Sequence, residues 1–312
     1  MHSLSDNSCP GVDGLTPRFY KKYWEILKDD LTAAFQHMFE CGEMPVSVSE
    51  GLIYLIPKAE GVSEDIRKWR PITLLNTSYK IFAKLLSSRL QELLPNIIHV
   101  SQTGFMRERS IMDNIFTFWE ATAAATKNKQ HLAVLLLDFE KAYDRVDWNF
   151  LEGTMYRMGF GIPWIKGISC LYRNAQSQVL LAGGVGSRFN ITRSVRQGCP
   201  LAPFLFLLFS EAMHLFLMAP STGLRGLAMP LNGQDILDSE LADDTALYVD
   251  GMLTNLQQVE WALLQYCTAS GAKLNWEKMV AFWVSYEPPP RWTPHPNFEW
   301  TQKGVVVRYL GV

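Results

Sequence analysis

The chain has 312 residues, of which 48% are hydrophobic and 19% are charged. This composition supplies enough apolar surface for one or two hydrophobic cores and excludes a disordered protein. Its 29 basic and 31 acidic side chains nearly cancel, which excludes the strongly basic type of nucleic-acid-binding protein.

Cysteine spacing and hydropathy exclude further classes. The five cysteines lie far apart and form no Cys-x-x-Cys pair, so we expect neither a disulfide framework nor a zinc knuckle, and a reducing, intracellular setting. The longest apolar stretch, residues 201–209, is too short to cross a bilayer, and the N-terminus lacks a secretory signal pattern. We therefore expect a soluble protein with no membrane partner.

The N-terminal part of the chain shows a helix pattern followed by a strand pattern. Apolar residues at helical spacing over 18–40 predict an amphipathic helix that ends at Gly42. Residues 51–57, GLIYLIP, predict a short strand. We expect a polar loop to follow, through Trp69 to Pro71.

The remaining elements follow the same two patterns. Helices are predicted at residues 75–94, 111–126, 148–158, 163–173, 203–218 and 254–270. We expect Pro95 to end the first of them. The unbroken apolar run 132–137, LAVLLL, is typical of a strand buried on both faces. A glycine-rich turn at 183–186 predicts a β-hairpin over 178–194, and VVVRYL at 305–310 predicts a last strand.

Three carboxylates stand at the ends of predicted strands. Asp138 follows the buried run, and Asp243 and Asp244 are adjacent at a predicted tight turn. Adjacent carboxylates repel, and a divalent cation with oxygen ligands neutralises them. If the two strands are neighbours, Asp138 and Asp243 can share a pair of Mg²⁺ ions about 3.5 to 4 Å apart, as phosphoryl transfer requires. The alternative is structural, because Asp-Asp pairs are common at turns and helix starts.

The carboxylates belong to an ordered series of short motifs. The series comprises Cys9 to Leu15, Leu55 to Lys58, Trp69 to Asn76 (WRPITLLN), Ser101 to Phe105 (SQTGF), Asp113 to Ile115, Asp138 to Asp144 (DFEKAYD), Arg196 to Leu201 (RQGCPL), Leu241 to Asp244 (LADD), Ser270 to Lys278, and Tyr309 to Gly311. In this order the motifs resemble the reverse transcriptase domain of non-LTR (LINE-type) retrotransposons.

The resemblance implies an α+β fold of the right-hand polymerase type, with fingers and palm subdomains and an antiparallel palm sheet backed by helices. Residues 1–130 would form the fingers-like region. Residues 131–312 would form the palm and the start of the primer grip. A thumb is expected to be missing, which would make the chain a piece of a longer, element-encoded polyprotein or a degenerate copy.

The resemblance also implies roles for the acidic motifs. Asp138 and Asp243 would be metal ligands together with the backbone carbonyl of Phe139, and Asp244 would be the second carboxylate of the pair. Tyr143 matches a steric gate that excludes a 2′-hydroxyl; without the resemblance, a buried aromatic residue after a strand would be the simpler interpretation. The expected cofactor is Mg²⁺, with Mn²⁺ as a substitute.

Other motifs would hold the substrates. Lys58 and Arg70 match residues that bind the triphosphate of the incoming dNTP, although isolated surface cations are usually only solvated. Gln197 and Gly198 match residues that let the backbone approach nucleotide and template. Either Lys273 or Lys278 could protonate the pyrophosphate, and the sequence does not distinguish them; both could be ordinary surface lysines.

Charge is distributed to suit these roles. Residues 51–110 carry 9 basic and 5 acidic side chains, and residues 181–250 carry 4 and 7. The basic block would contact template phosphates and the triphosphate, while the acidic block contains the predicted metal-binding turn.

The motif Leu241 to Asp244 (LADD) and the residues before it depart from the family pattern. Leu241 replaces the usual aromatic residue, and the preceding Asp238, Ser239 and Glu240 are polar where an apolar strand is more common. We expect weaker contact with the primer end and an altered metal affinity.

The leading interpretation is an RNA-directed DNA polymerase domain that copies retrotransposon RNA, with RNA template, DNA primer and dNTP as partners. A nuclear location is expected if it acts by target-primed transcription. The alternative is a catalytically inactive, truncated remnant that only binds RNA. A metal-dependent hydrolase is disfavoured, because no His-rich ligand set or Gly-x-Ser-x-Gly motif accompanies the carboxylates.

Overall fold

The computed structural model describes residues 4–58, 64–182, 184–228, 235–284, 294–301 and 305–311. The chain divides into two compact units, each discontinuous in sequence. The first unit comprises Met1–Leu93 and Val146–Leu205, and the second comprises Leu94–Arg145 and Phe206–Val312. The assignment of residues 1–130 to fingers and 131–312 to palm stays a prediction.

Helices and strands alternate along the described residues. The α-helices are α1 (Pro17–Lys22), α2 (Trp24–Cys41), α3 (Val46–Ser49), α4 (Thr77–Ile97), α5 (Ile111–Lys127), α6 (Trp148–Arg157), α7 (Ile162–Ser169), α8 (Ala202–Leu217) and α9 (Leu253–Ser270). The strands are β1 (Gly51–Pro57), β2 (Trp69–Leu75), β3 (Ala133–Leu137), β4 (Gln176–Leu181), β5 (Gly184–Val185), β6 (Phe189–Asn190), β7 (Leu227–Ala228), β8 (Asp235–Ile236), β9 (Asp238–Leu241), β10 (Asp244–Val249), β11 (Val280–Trp283) and β12 (Glu299–Trp300).

Most predicted helices form within a few residues of their expected bounds. The helix predicted over 18–40 is divided into α1 and α2, because Tyr23 leaves helical geometry at φ −105° and ψ 19°. Gly42 ends α2 in a left-handed conformation, as expected of a C-terminal glycine. Helix α4 continues through Pro95, contrary to prediction. Pro95 lies in the last turn, where its missing N–H removes only one hydrogen bond. No described helix is long and apolar enough to cross a membrane.

The first unit contains a sheet with the order β2-β1-β4-β5, and β6 also pairs with β4. Strand β2 forms where a loop was expected, and it runs antiparallel to β1 from Pro57↔Trp69 to Gly51↔Leu75. Pro71 is accommodated because β2 is an edge strand and needs no donor on its outer side. The predicted hairpin is present as the antiparallel pairs β4–β5 and β4–β6; Gly183 of its turn lies outside the described residues.

The second unit is built on a sheet with the order β12-β11-β3-β10-β9. Strand β3 lies at its centre between β11 and β10, and its side chains are almost all buried, as predicted for LAVLLL. Ala121 and Ala125 of α5 pack against Val134, Ala246 and Tyr248 of the sheet. This core fixes the two central strands whose ends carry the acidic residues.

The predicted last strand is wrong. Residues 305–308 have no regular structure, and Val306 is 95% exposed. A β-branched run becomes a strand only where a neighbouring edge offers backbone partners. In the described part of this sheet, β12 and β9 are the two edge strands. Residues 305–308 are paired with neither of them, so they do not become a strand. Tyr309 nevertheless reaches the sheet, where its hydroxyl is hydrogen-bonded to that of Tyr248.

Candidate active site

The register of the central strands brings the predicted acidic residues to one end of the sheet. Strands β3 and β10 are antiparallel, with Leu137 opposite Thr245. Asp138 directly follows Leu137, and Asp243 and Asp244 directly precede Thr245. The carboxylates, 105 positions apart in sequence, therefore belong to adjacent chain segments.

The electrostatics of the three carboxylates are coupled. Partial burial raises the pKa of Asp243, and the charge of Asp138 raises it further. The pKa of Asp244 is raised by burial and by the charges of Asp243 and Asp138. Both residues keep solvent-exposed surface, so an ion can reach them. A half-desolvated cluster of this kind is stabilised by a divalent cation, and its oxygen donors fit Mg²⁺ or Mn²⁺.

The carbonyl of Phe139, the predicted backbone ligand, takes no part in the hydrogen bonds of the neighbouring β-bridge. Phe139 pairs with Leu274 in an isolated antiparallel bridge. The two bonds that frame this bridge run from Asn275 N to the Asp138 carbonyl and from Glu140 N to the Lys273 carbonyl, each at 2.8 Å. Neither bond uses the carbonyl of Phe139, so its predicted role as a metal ligand is compatible with the backbone pairing.

The turn between β9 and β10 is strained and tightly held. Leu241 pairs with Asp244, which leaves Ala242 and Asp243 as a two-residue loop. Ala242 has φ 59°, a left-handed conformation that costs a non-glycine residue about 1 to 2 kcal/mol. The surrounding contacts must therefore determine this geometry.

Gln102 supplies those contacts, although no pattern in the sequence predicts this role. Its Nε2 donates to Glu240 Oε2 (2.8 Å) and to the Ala242 carbonyl (3.2 Å). Its Oε1 accepts from the backbone N–H groups of Ala242 (2.9 Å) and Gly104 (2.8 Å). Gln102 is 1% exposed. Buried amides satisfied in this way rigidify their surroundings, so Gln102 is a positioning residue for the acidic turn.

The unusual polar residues of β9 point into the second unit and have partners there. Asp238 Oδ2 lies 2.8 Å from His214 Nδ1. Ser239 Oγ accepts a hydrogen bond from Tyr248 Oη at 3.2 Å. This departure from the family pattern is therefore compensated by polar residues on neighbouring elements.

Glu240 is the most deeply buried acid of this group. Its Oε2 accepts from Ser210 Oγ at 2.5 Å and from Gln102. Burial raises the pKa of Glu240 to about 8. Glu240 is therefore mostly neutral at pH 7 and adds little negative charge behind the turn.

Tyr143 is held beside the acidic residues. Its ring stacks on Phe206 with centroids 4.7 Å apart and an interplanar angle of 7°. Burial raises the pKa of Tyr143, and the negative charge of Asp243 raises it further. The ring is thus fixed near Asp243, and the sugar-gate role stays a prediction.

The two candidate proton donors differ in their surroundings. Lys273 Nζ lies 3.0 Å from Glu140 Oε2, and this interaction is the largest cause of the lowered pKa of Glu140. Lys278 ends the short 3₁₀ turn Trp276–Lys278 and is exposed. The choice between the two lysines stays open.

The predicted triphosphate ligands lie on the β1–β2 hairpin of the first unit. Arg70 pairs with Ile56, and Lys58 directly follows Pro57, the last residue of β1. Both are exposed. The backbone of Lys58 donates to the Lys68 carbonyl at 2.8 Å, which adds the exposed Lys68, a residue that sequence analysis did not single out, to this end of the hairpin.

The segment Arg196 to Gly198 is fixed against the same sheet. Thr73 N donates to the Gln197 carbonyl at 2.7 Å. Gly198 has φ 113°, and a Cβ there would lie 2.4 Å from the Thr73 carbonyl oxygen, so only glycine fits. Buried Arg196 donates to the Ser49 carbonyl at 2.5 Å. The glycine thus has a local structural cause besides its predicted access role.

The predicted site residues are distributed over both units. Asp138, Phe139, Tyr143, Asp243 and Asp244 are brought together within the second unit. Lys58, Arg70, Gln197 and Gly198 belong to the first unit.

Comparison with known proteins assigns most of the chain to a family. Residues 56–312 match the family described as reverse transcriptase (RNA-dependent DNA polymerase). An uncharacterized 149 kDa protein of transposon TX1 from Xenopus laevis is 33% identical over 317 residues, covering 100% of this chain and 23% of that protein. The RNA-directed DNA polymerase from the mobile element jockey of Drosophila melanogaster is 24% identical, covering 86% of this chain and 29% of that protein. The chain spans about a quarter of the length of these relatives.

Solved structures resemble the chain in fold. Telomerase from Candida tropicalis superimposes with a TM-score of 0.53 at 18% identity, over 82% of this chain and 44% of that chain. Telomerase from Candida albicans gives a TM-score of 0.52 at 15% identity, over 85% of this chain and 46% of that chain. This likeness confirms the expected α+β polymerase fold.

Proposed function

The chain belongs to the reverse transcriptase family of non-LTR retrotransposons, and from this premise we propose that it is an RNA-directed DNA polymerase domain that copies element RNA into DNA. The observation that carries the proposal is the register of β3 and β10, which brings Asp138 to the Asp243–Asp244 turn. Residues held in strained backbone conformations cluster at functional sites, and the buried amide of Gln102 holds Ala242 in such a conformation here.

The three carboxylates and the Phe139 carbonyl would hold the divalent cations. Bound Mg²⁺, or Mn²⁺ in its place, would activate the attacking 3′-hydroxyl and neutralise the charge on the leaving pyrophosphate. The chain's own residues position this chemistry: Gln102 fixes the turn, and the carboxylates face solvent where a nucleotide can bind. Lys273 or Lys278 would donate the proton to the leaving group.

Substrate selection would depend on the other predicted site residues. Lys58 and Arg70 would neutralise triphosphate oxygens. Gln197 and Gly198 would let the backbone approach the nucleotide and template. The ring of Tyr143 would collide with a 2′-hydroxyl and favour dNTP. RNA template and DNA primer are the proposed partners, and a nuclear site of action follows if priming occurs at a nicked chromosomal target.

The test is extension of a DNA primer on an RNA template by the purified 312-residue chain in Mg²⁺ or Mn²⁺. We expect Asp138→Asn and Asp243→Asn to reduce extension at least about a hundredfold, because each removes a charged metal ligand. Asp29→Asn is the matched control, because Asp29 is an exposed acid on α2, and should leave extension unchanged. Full activity in the Asp138 and Asp243 variants would contradict the assignment.

The same assay separates polymerase from the RNA-binding remnant. Binding of template-primer without extension by the unmodified chain, at every Mg²⁺ and Mn²⁺ concentration, would support the remnant and overturn the proposal for this chain.

A further inference from the structure

A second cluster of metal-binding side chains lies within the second unit and takes no part in the proposed polymerase chemistry. His99 lies between α4 and Gln102, His214 lies on α8, and Asp238 begins β9. Each offers one ligand atom, and these atoms lie within 4.8 Å of one another. Three separate elements therefore converge on one point with two imidazoles and a carboxylate.

The three side chains of the cluster differ in their contacts and in their exposure. The rings of His99 and His214 stack with centroids 4.1 Å apart and an interplanar angle of 17°. His214 Nδ1 is already 2.8 Å from Asp238 Oδ2. His214 and Asp238 are each 4% exposed, whereas His99 is exposed. Two of the three potential ligands are therefore buried, and the third is accessible from solvent.

Groups outside the ligand set orient it. Ser101 Oγ lies 3.0 Å from His99 Nδ1, and the backbone N–H of Ser101 donates to the same nitrogen at 3.3 Å, so Nε2 is the nitrogen that would bind an ion, after losing its proton. Glu211 Oε2 accepts a hydrogen bond from the backbone N–H of His99 at 2.9 Å and adds negative charge near the ligand atoms. The guanidinium of Arg109 donates a hydrogen bond to the His99 carbonyl and opposes this negative charge. Such outer hydrogen bonds fix the orientation of metal-ligating rings.

A cavity of about 390 Å³ is lined by His99, His214 and Asp238. It offers an entry route and room for a water molecule as a further ligand.

We propose that His99, His214 and Asp238 bind a divalent transition-metal ion of the zinc type, with water from the cavity completing the coordination. Imidazole ligands select such an ion over Mg²⁺, which prefers oxygen donors. The ion would replace the proton shared by His214 Nδ1 and Asp238 Oδ2, and that proton would leave to solvent. Ligand atoms on one tetrahedral ion are roughly 3 to 3.5 Å apart, and a nitrogen of each ring must aim at the ion. Binding therefore needs the His99 ring to turn out of its stack on His214, and its exposed side chain has room for this turn.

The ion would join α8, β9 and the segment after α4. Strand β9 leads directly into the Ala242–Asp243 turn, so occupancy would support the acidic turn from behind. The role proposed for the ion is structural, and its binding can be measured without polymerase activity.

The test is a Zn²⁺ titration of the full chain against a chromophoric chelator, with Mg²⁺ in large excess to occupy oxygen-donor sites. We expect one tightly bound Zn²⁺ per chain. His99→Gln and Asp238→Asn should each weaken binding at least about tenfold, while His37→Gln, an exposed histidine on α2, should not. His99→Gln is the principal variant because its exposed side chain can change without unfolding the chain, which circular dichroism would verify.

Replacement of Zn²⁺ by Co²⁺ gives a second readout. Ligand-field bands without thiolate charge transfer are expected, and they should be lost in His99→Gln. Equal Zn²⁺ affinity in the unmodified chain and His99→Gln, or a thiolate charge-transfer band that indicates cysteine ligands, would overturn the proposal.

Discussion

The acidic turn of the second unit and the basic hairpin of the first unit hold their functional groups in different ways. The turn is supported from behind by buried polar side chains, above all Gln102 and Glu240. On the hairpin, the side chains of Lys58 and Arg70 are both exposed, and Arg70 is placed by its backbone pairing with Ile56. The residues proposed to hold a cation are thus positioned by a second layer of buried contacts, whereas the residues proposed to bind the triphosphate are exposed at the surface.

Among these predictions, we expect the largest effect on primer extension when the buried support of the acidic turn is removed. Gln102→Leu deletes both the donor and the acceptor that hold Ala242, and we expect primer extension to fall about a hundredfold through kcat, with template-primer binding retained. Gln36→Leu on exposed α2 is the control. Extension at the unmodified rate would show that the turn needs no support.

Backbone packing in the first unit can be tested with glycines. Gly198→Ala places a Cβ 2.4 Å from the Thr73 carbonyl oxygen at φ 113°, so we expect a loss of about 2 to 4 kcal/mol in the free energy of unfolding. Gly153→Ala in α6 meets no atom within 4 Å and should stabilise the chain by about 0.5 to 1 kcal/mol. Denaturant titration measures both, and equal effects would refute the steric argument.

The selectivity between dNTP and ribonucleotides tests the proposed role of the Tyr143 ring. Tyr143→Ala removes the ring that stacks on Phe206, and we expect ribonucleotide incorporation to rise about tenfold or more relative to dNTP. Tyr143→Phe keeps the ring and should keep the selectivity. Unchanged discrimination in the alanine variant would remove the gate role.

The smallest expected effect concerns pH. The pKa of Glu240 is raised from 4.5 to about 8, so the folded state keeps a proton that the unfolded chain releases in this range. This contribution is full below pH 4.5 and is lost as the pH rises toward 8. Glu240→Gln is neutral throughout, so its stability should fall less over this interval, by about 1 kcal/mol or more.

Chemical denaturation at a series of pH values measures this difference. Glu40→Gln, at an exposed position on α2, should retain the slope of the unmodified chain. An unchanged slope in Glu240→Gln would show that Glu240 titrates normally in the folded protein.

Local signals accounted for much of the fold and for the acidic residues. The buried run of β3 and the adjacent carboxylates of the turn are visible in sequence because each depends on neighbouring residues. Strand β2 was missed because Pro71 disfavours a strand unless it lies at an edge, which only the assembled sheet reveals.

Contacts between distant segments had no local signal. Gln102 reaches Ala242 across 140 positions, and His214 pairs with Asp238 from another element. The polar run of β9 appeared in sequence only as a departure from a pattern, since its partners are selected by tertiary packing.

The central claim is that Asp138 and Asp243 share a divalent cation site. Anomalous diffraction from crystals of the chain soaked in Mn²⁺ tests it most directly. We predict an anomalous peak within coordinating distance, about 2.0 to 2.4 Å, of carboxylate oxygens from both residues, and its loss in Asp243→Asn. Mn²⁺ bound to only one of the two residues, or bound elsewhere while both stay vacant, would contradict the account.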